Sequence, residues 1–276
     1  MFSNIVFSGG GCRCFWQVGF FMAIRDLIGS PRVVSAVSAG AAMACAVFAD
    51  LGAAVLTDFQ RRARDNRRNF YPLHLFGANA VFPHQAMYRN AILDGIDERA
   101  LTTVQNRVDI RVLISVAPRW ANRPISLGLA AMGAAAQMVT RRRLRFGFQP
   151  TVVSVRDCEN VSALADLILC SSAIPPVIGP QHYENRLAID GGFIDNTPKW
   201  IVPSDESTLV LLTAPQHNDV TLEPKITVAA PSRPIDIAVW DYANPSGLQR
   251  AFDLGQRDGE AFANRLRRAA DHRLNS

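Results

Sequence analysis

The chain has 276 residues, 49% of them hydrophobic and 19% charged, with a mean hydropathy of +0.07. These values exclude a disordered chain, a collagen-like repeat and a small disulfide-stapled scaffold, and a chain of this length buries a large core without staples. The net charge is +5, and all but two of the 29 basic residues are arginines, whose planar fork suits phosphate oxygens; a coding bias would leave the same composition with no functional content.

Residues 4–8 form a short apolar run that stops at Gly9-Gly10-Gly11, as a buried strand entering a glycine loop does. Residues 15–28 carry apolar side chains at helical spacing and end at Gly29-Ser30-Pro31. A second strand is expected over 32–37, followed at once by an Ala-rich helix over 39–51. This strand–helix–strand–helix start implies parallel pairing with a right-handed crossover. Further strands are expected at 110–117, 152–155, 186–189, 209–214 and 226–229, and helices at 57–68, 85–93, 126–145, 161–172 and 245–270. The alternation predicts a single three-layer α/β/α domain over 1–276 with a mainly parallel central sheet, in which 119–149 is an inserted or capping segment and 245–276 a C-terminal helix.

The five cysteines are odd in number, and Cys12-Arg13-Cys14 is too tight for ordinary zinc-ligand spacing. Buried small apolar residues in a reducing compartment are the expectation. The first residues lack a basic start and a long apolar stretch, and the longest weakly polar run, 125–140, is short for a membrane span and contains Ser126 and Gln137. A soluble, cytoplasmic protein with no cleavable signal or transmembrane helix is expected.

Three clusters carry residues able to do chemistry. Ala36-Val37-Ser38-Ala39-Gly40 lies where a strand meets a helix, so Ser38 is either a nucleophile held on a sharp turn or a plain helix cap. Gly9-Gly10-Gly11-Cys12-Arg13 follows the first strand, where successive N–H groups can make an oxyanion hole or the loop can be only a tight turn. A dinucleotide site would want glycine at position 14 and an acidic residue at the end of the second strand, where Cys14 and Ser38 stand. Asp190-Gly191-Gly192 follows the strand expected at 186–189. At the carboxyl end of a parallel strand, Asp190 would share a sheet edge with Ser38; alone, the triplet is a turn.

Together these supply a nucleophile, oxyanion donors and a base, and the combination resembles the patatin-like phospholipase family. Two further stretches resemble that family, residues 171–176 (Ser-Ser-Ala-Ile-Pro-Pro) and the continuation of Asp190 through Asn196-Thr197-Pro198, so the resemblance spans roughly 4–215 in the family's order. It implies a serine hydrolase of phospholipid or related lipid esters, with a Ser38–Asp190 dyad, an oxyanion hole of Gly9, Gly10 and Gly11, Arg13 near the loop or a phosphate head group, and no metal or organic cofactor. It also implies a peripheral membrane surface as partner, while the scattered basic residues, with no recognised binding motif, point to no nucleic acid.

Two departures stand out: Ala36 replaces the first elbow glycine, an exchange expected to be tolerated, and Cys14 replaces the glycine that closes the oxyanion loop. Cys14 is expected to narrow the acyl pocket or shift a donor. The alternatives are a catalytically weak or inactive lipid-binding or regulatory relative and a Ser38–Asp190–His217 triad. Candidate lipid contacts are Arg61, Arg62, Arg64, Arg67 and Arg68, the cluster 141–145, the arginines of 265–273, and the apolar stretch 126–139 as a lid or anchor.

Overall fold

A continuous apolar run flanked by a glycine loop makes a strand covered on both faces, and Asn4–Phe7 (β1) is buried throughout. The computed structural model describes residues 2–76, 80–120, 124, 128, 147–215 and 225–274, with side chains to residue 268. The expected segment 126–145 and the basic cluster 141–145 lie outside these residues, as does His217. The helix Phe15–Ile28 (α1) follows the glycine loop, then Val33–Val37 (β2) and Ala39–Phe48 (α2). A short turn sends Gly52–Asp65 (α3) back towards the edge where α2 began, and His84–Gly95 (α4) and Glu98–Arg107 (α5) lead to Asp109–Val116 (β3). Then come Gln149–Ser154 (β4), Val161–Ser172 (α6), Gln181–Tyr183 (β5), Arg186–Asp190 (β6), Thr208–Leu211 (β7), Ile226–Ala229 (β8) and the long helix Pro245–Leu274 (α7).

The sheet has eight strands in the order β5-β6-β3-β2-β1-β7-β8, with β4 paired to β3 beside this path. The pairings β1–β2, β2–β3, β1–β7 and β7–β8 are parallel, and β3–β4, β3–β6 and β5–β6 antiparallel. The sheet is therefore mixed, with flanking helices, in an α/β/α arrangement. Side chains alternate across it as the pleat requires. Ile5, Phe7, Val34, Ala36, Ile110, Val112, Leu209 and Leu211 join the large core made with the helices, whereas Val6, Val210, Val37 and Leu113 face the stretch containing Ile201 and Val202.

The strand that carries Asp190 runs in the direction opposite to the one expected. Asp190 was to share a sheet edge with Ser38 because both would end parallel strands, but β6 runs antiparallel to β3. The hairpin turn Glu184–Asn185, both residues at positive φ (48° and 62°), reverses the chain between β5 and β6. β6 thus enters from beyond the edge where β2 ends. Its last residue stops opposite Ile114, next to Leu113, which pairs with Val37. The two residues meet because a short antiparallel strand descends to the level at which β2 stops.

Candidate active site

Ser38 sits between β2 and α2 with φ 54° and ψ −138°, a conformation that costs a non-glycine residue about 1–3 kcal/mol and persists only where the surroundings impose it. Its N–H donates to Ser171 Oγ at 2.7 Å, and Ser171 Oγ in turn donates to the Leu113 carbonyl at 2.7 Å. Gly40 lets α2 start against the end of β1: a Cβ there would lie 2.5 Å from the Ser8 carbonyl oxygen. Ala36 is fully buried on the helix-facing side of β2 and is accommodated. The serine therefore stands at the head of α2, whose first N–H groups have no intrahelical acceptor.

The Ser38 hydroxyl donates to Asp190 Oδ2 at 2.6 Å, and the N–H of Gly192 donates to Asp190 Oδ1 at 2.6 Å. Asp190 is further fixed through its main chain, with N–H to the Ala173 carbonyl (2.9 Å) and C=O accepting from Ser115 Oγ (2.9 Å). Ser38 is 6% exposed and Asp190 5%, less open than a serine raised above the sheet would be. Burial pushes the Asp190 carboxyl up to about 6, against the opposing pull of the hydrogen bonds from Ser38 and Gly192.

The glycine loop passes beside this pair, close enough that a Cβ on Gly9 would lie 3.2 Å from Ser38 Cβ. The N–H of Gly9 donates to the Asn196 carbonyl (3.2 Å), so Gly9 is not a free donor. Gly10 and Gly11 have no acceptor for their N–H among the described residues. Gly11 has φ +55°, and a Cβ there would overlap the Val239 carbonyl oxygen. Two side chains clamp the loop, because the Gly9 carbonyl accepts from Asn196 Nδ2 (3.1 Å) and from Thr213 Oγ1 (2.7 Å).

Cys14 closes the glycine loop at the N-terminal end of α1. It is fully buried in ordinary right-handed backbone at the head of α1, with Sγ 3.7 Å from the Ser8 carbonyl oxygen. Burial, and then the nearby Cys12 and Asp190, hold its thiol well above the usual range. Arg13 donates from Nε to the Ile237 carbonyl (3.1 Å), which ties the loop to the stretch before α7. Ser171 and Asn196 lie in the two further stretches that resembled the family, and Thr213, which no motif marked, joins them in holding the serine and the glycine loop.

The basic candidates are unequal. Arg61 and Arg62 are bound to Asp58, and Arg62 also to Asp94 (2.6 Å), whereas Arg64, Arg67 and Arg68 are exposed with no carboxylate partner among the described residues. Arg265 lies over the Phe262 ring, 5.7 Å from its centroid. Among the described residues no three His, Cys, Asp or Glu side chains gather as a metal site, and no helix is long and apolar enough to cross a membrane.

A sequence model described as patatin-like phospholipase matches residues 5–202. The chain belongs to the patatin-like phospholipase family. The match takes in the glycine loop, the serine elbow and the Asp-Gly-Gly turn, and membership supports lipid acyl hydrolysis in general. No curated protein matches the chain. Among solved structures, the crystal structure of VipD from Legionella pneumophila matches with a TM-score of 0.43 and 9% identity, covering 94% of this chain and 67% of that one.

Proposed function

We propose that this patatin-like protein hydrolyses carboxylic esters of phospholipids or related lipids through a Ser38–Asp190 dyad. The observation that carries the proposal is the 2.6 Å hydrogen bond from a strained, buried serine to a carboxylate raised to about 6. Asp190 Oδ2 takes the hydroxyl proton as Ser38 Oγ attacks the ester carbonyl. The oxyanion that forms accepts from the N–H groups of Gly10 and Gly11, which have no partner among the described residues, an effect of about 3 kcal/mol per donor. The proton on Asp190 passes to the departing alcohol, leaving an acyl-Ser38. Water, deprotonated by Asp190, attacks that acyl group, and the proton returns to Ser38 as the acid leaves. Gly192 holds Oδ1 so that Oδ2 stays directed at the serine.

Labelling with a fluorophosphonate, followed by mass spectrometry, tests the nucleophile. The expected result is one adduct on Ser38, absent from Ser38→Ala. Asp190→Asn is expected to lower ester hydrolysis by at least about 1000-fold while the protein stays folded, and full activity in that variant would remove the dyad.

A further inference from the structure

We propose that residues 64–75, the end of α3 and the stretch that follows it, are a bilayer-docking element: the apolar tip inserts among acyl chains, and the arginines behind it take anionic head groups. The proposal extends the lipid-ester function proposed above by naming the surface that meets the lipid. Three apolar side chains of this loop face solvent, Leu73 (82% exposed), Leu75 (64%) and Phe70 (46%), with Leu73 and Leu75 on the single-turn helix Pro72–Phe76. Leaving two leucines this open has a hydrophobic cost that an occupant would remove. Immediately before the tip stand Arg64, Arg67 and Arg68, exposed and without carboxylate partners among the described residues; Asp65 is the one acidic residue within that run. An apolar tip with a cationic collar a few residues behind it matches the order of layers in an anionic bilayer, acyl chains below phosphates. Three side chains are few for a stable protein interface, which takes roughly 20 residues a side.

The base of the loop is fixed. Tyr71 N–H donates to the Val81 carbonyl (2.9 Å), and the Phe70 and Phe82 rings pack with centroids 5.4 Å apart. The loop also sits at the edge that carries Ser38. α2 starts at Ser38 and runs away from it, and α3 returns, so Asn66 arrives back beside the site's supporting strap. There Asn66 Nδ2 donates to the Tyr242 carbonyl (3.0 Å), Asn69 Nδ2 to Asp241 Oδ1 (2.9 Å), and Tyr242 N–H to Asn69 Oδ1 (2.8 Å). His84 Nε2 donates to the Trp240 carbonyl (2.8 Å). Val239, next in that strap, accepts from Cys12 N–H at 3.0 Å and packs against Gly11. The exposed tip and the free oxyanion N–H groups thus hang on one short strap, residues 239–242. Docking through the tip would present the Ser38 edge to the bilayer surface.

Co-sedimentation of the full chain tests this, using vesicles of phosphatidylcholine alone and of phosphatidylcholine with phosphatidylglycerol. Leu73→Ser/Leu75→Ser is expected to lower the partition coefficient at least about tenfold on both vesicle types, while the thermal midpoint and the hydrolysis of a short-chain soluble ester stay at wild-type values. Arg67→Glu/Arg68→Glu is expected to lower binding about tenfold on the phosphatidylglycerol vesicles only, with loss of most of the salt dependence. Wild-type sedimentation by the double leucine variant, or failure of the wild-type chain to sediment with either vesicle, overturns the proposal; the second result would assign the tip to a protein partner. Absence of ester hydrolysis in a wild-type chain that sediments would defeat the dyad and leave the docking surface standing.

Discussion

A carboxylate is a weak base towards a serine hydroxyl, and the surroundings of Asp190 act on that weakness. Burial raises its carboxyl from 3.8 to about 6, which would make it a stronger base in the proposed dyad. The proposed dyad requires the ionised form, so kcat/KM of a neutral ester should rise as pH rises through about 6 and level off above it. An inflection near 4 in that profile would show an unburied base. The same shift has a consequence for stability with the opposite sign. Between 3.8 and about 6 the folded chain holds a proton that the unfolded chain has lost, so this group's contribution is complete below about 4 and falls as pH rises through 6. The full difference is on the order of 3 kcal/mol. Asparagine can keep the bond from Gly192 and removes the charge. The thermal midpoint of Asp190→Asn relative to wild type should therefore grow by several degrees between pH 4 and pH 8, and a constant difference across that range would contradict the buried-charge account.

At the scale of elements, the site is a junction of four chain segments whose fit depends on residues outside the dyad. Asn196 belongs to the turn after Asp190 yet bonds both polar groups of the Gly9 peptide. Asn196→Ala should lower kcat about tenfold or more with KM little changed, because a loosened glycine loop misplaces donors that act in the transition state; equal losses in binding and turnover would give Asn196 a different role. The elements themselves were largely legible. A continuous apolar run before three glycines made β1, the run 226–229 matched β8, and helical spacing marked α1 and α6 with their observed limits. What was illegible was pairing direction. Glu184-Asn185 contains no glycine to advertise a two-residue hairpin, and a three-residue β5 has too little pattern to register, so β6 read as one more parallel strand. Helix α5, polar except for Ala100, Leu101 and Val104, was missed for a related reason: so few apolar positions give a weak period. Ser171 stood in a stretch that resembled the family, but its contact with Ser38 was not legible. Its hydroxyl supports Ser38 from the last turn of a helix far along the chain, and no local spacing encodes that meeting.

On the scale of the whole molecule, the glycine loop is held from behind by α1, and α1 by α7. The two helices cross at glycines: a Cβ on Gly255 would lie 2.1 Å from the Trp16 carbonyl oxygen, and one on Gly19 would lie 2.1 Å from the Phe252 carbonyl oxygen. Around this crossing Trp16 Nε1 donates to Asp258 Oδ2 (2.7 Å), and the Phe20 and Phe262 rings pack with centroids 5.3 Å apart. Two effects compete in Gly255→Ala. Helix propensity favours alanine by about 1 kcal/mol. Sterics oppose it, because a backbone oxygen at 2.1 Å cannot turn aside as a side chain can, and the helices must separate; overpacking of that kind costs about 1–3 kcal/mol and sometimes more. Separation also strips packing from Trp16 and Phe20, both almost completely buried, so the steric effect should win. The expected outcome is a thermal midpoint lowered by roughly 4 °C or more, against no change for Glu260→Ala on the exposed side of the same helix. A Gly255→Ala variant as stable as wild type would mean that α7 can move away from α1 at no cost, and that the glycine loop is supported by Asn196, Thr213 and the 237–242 stretch without α7.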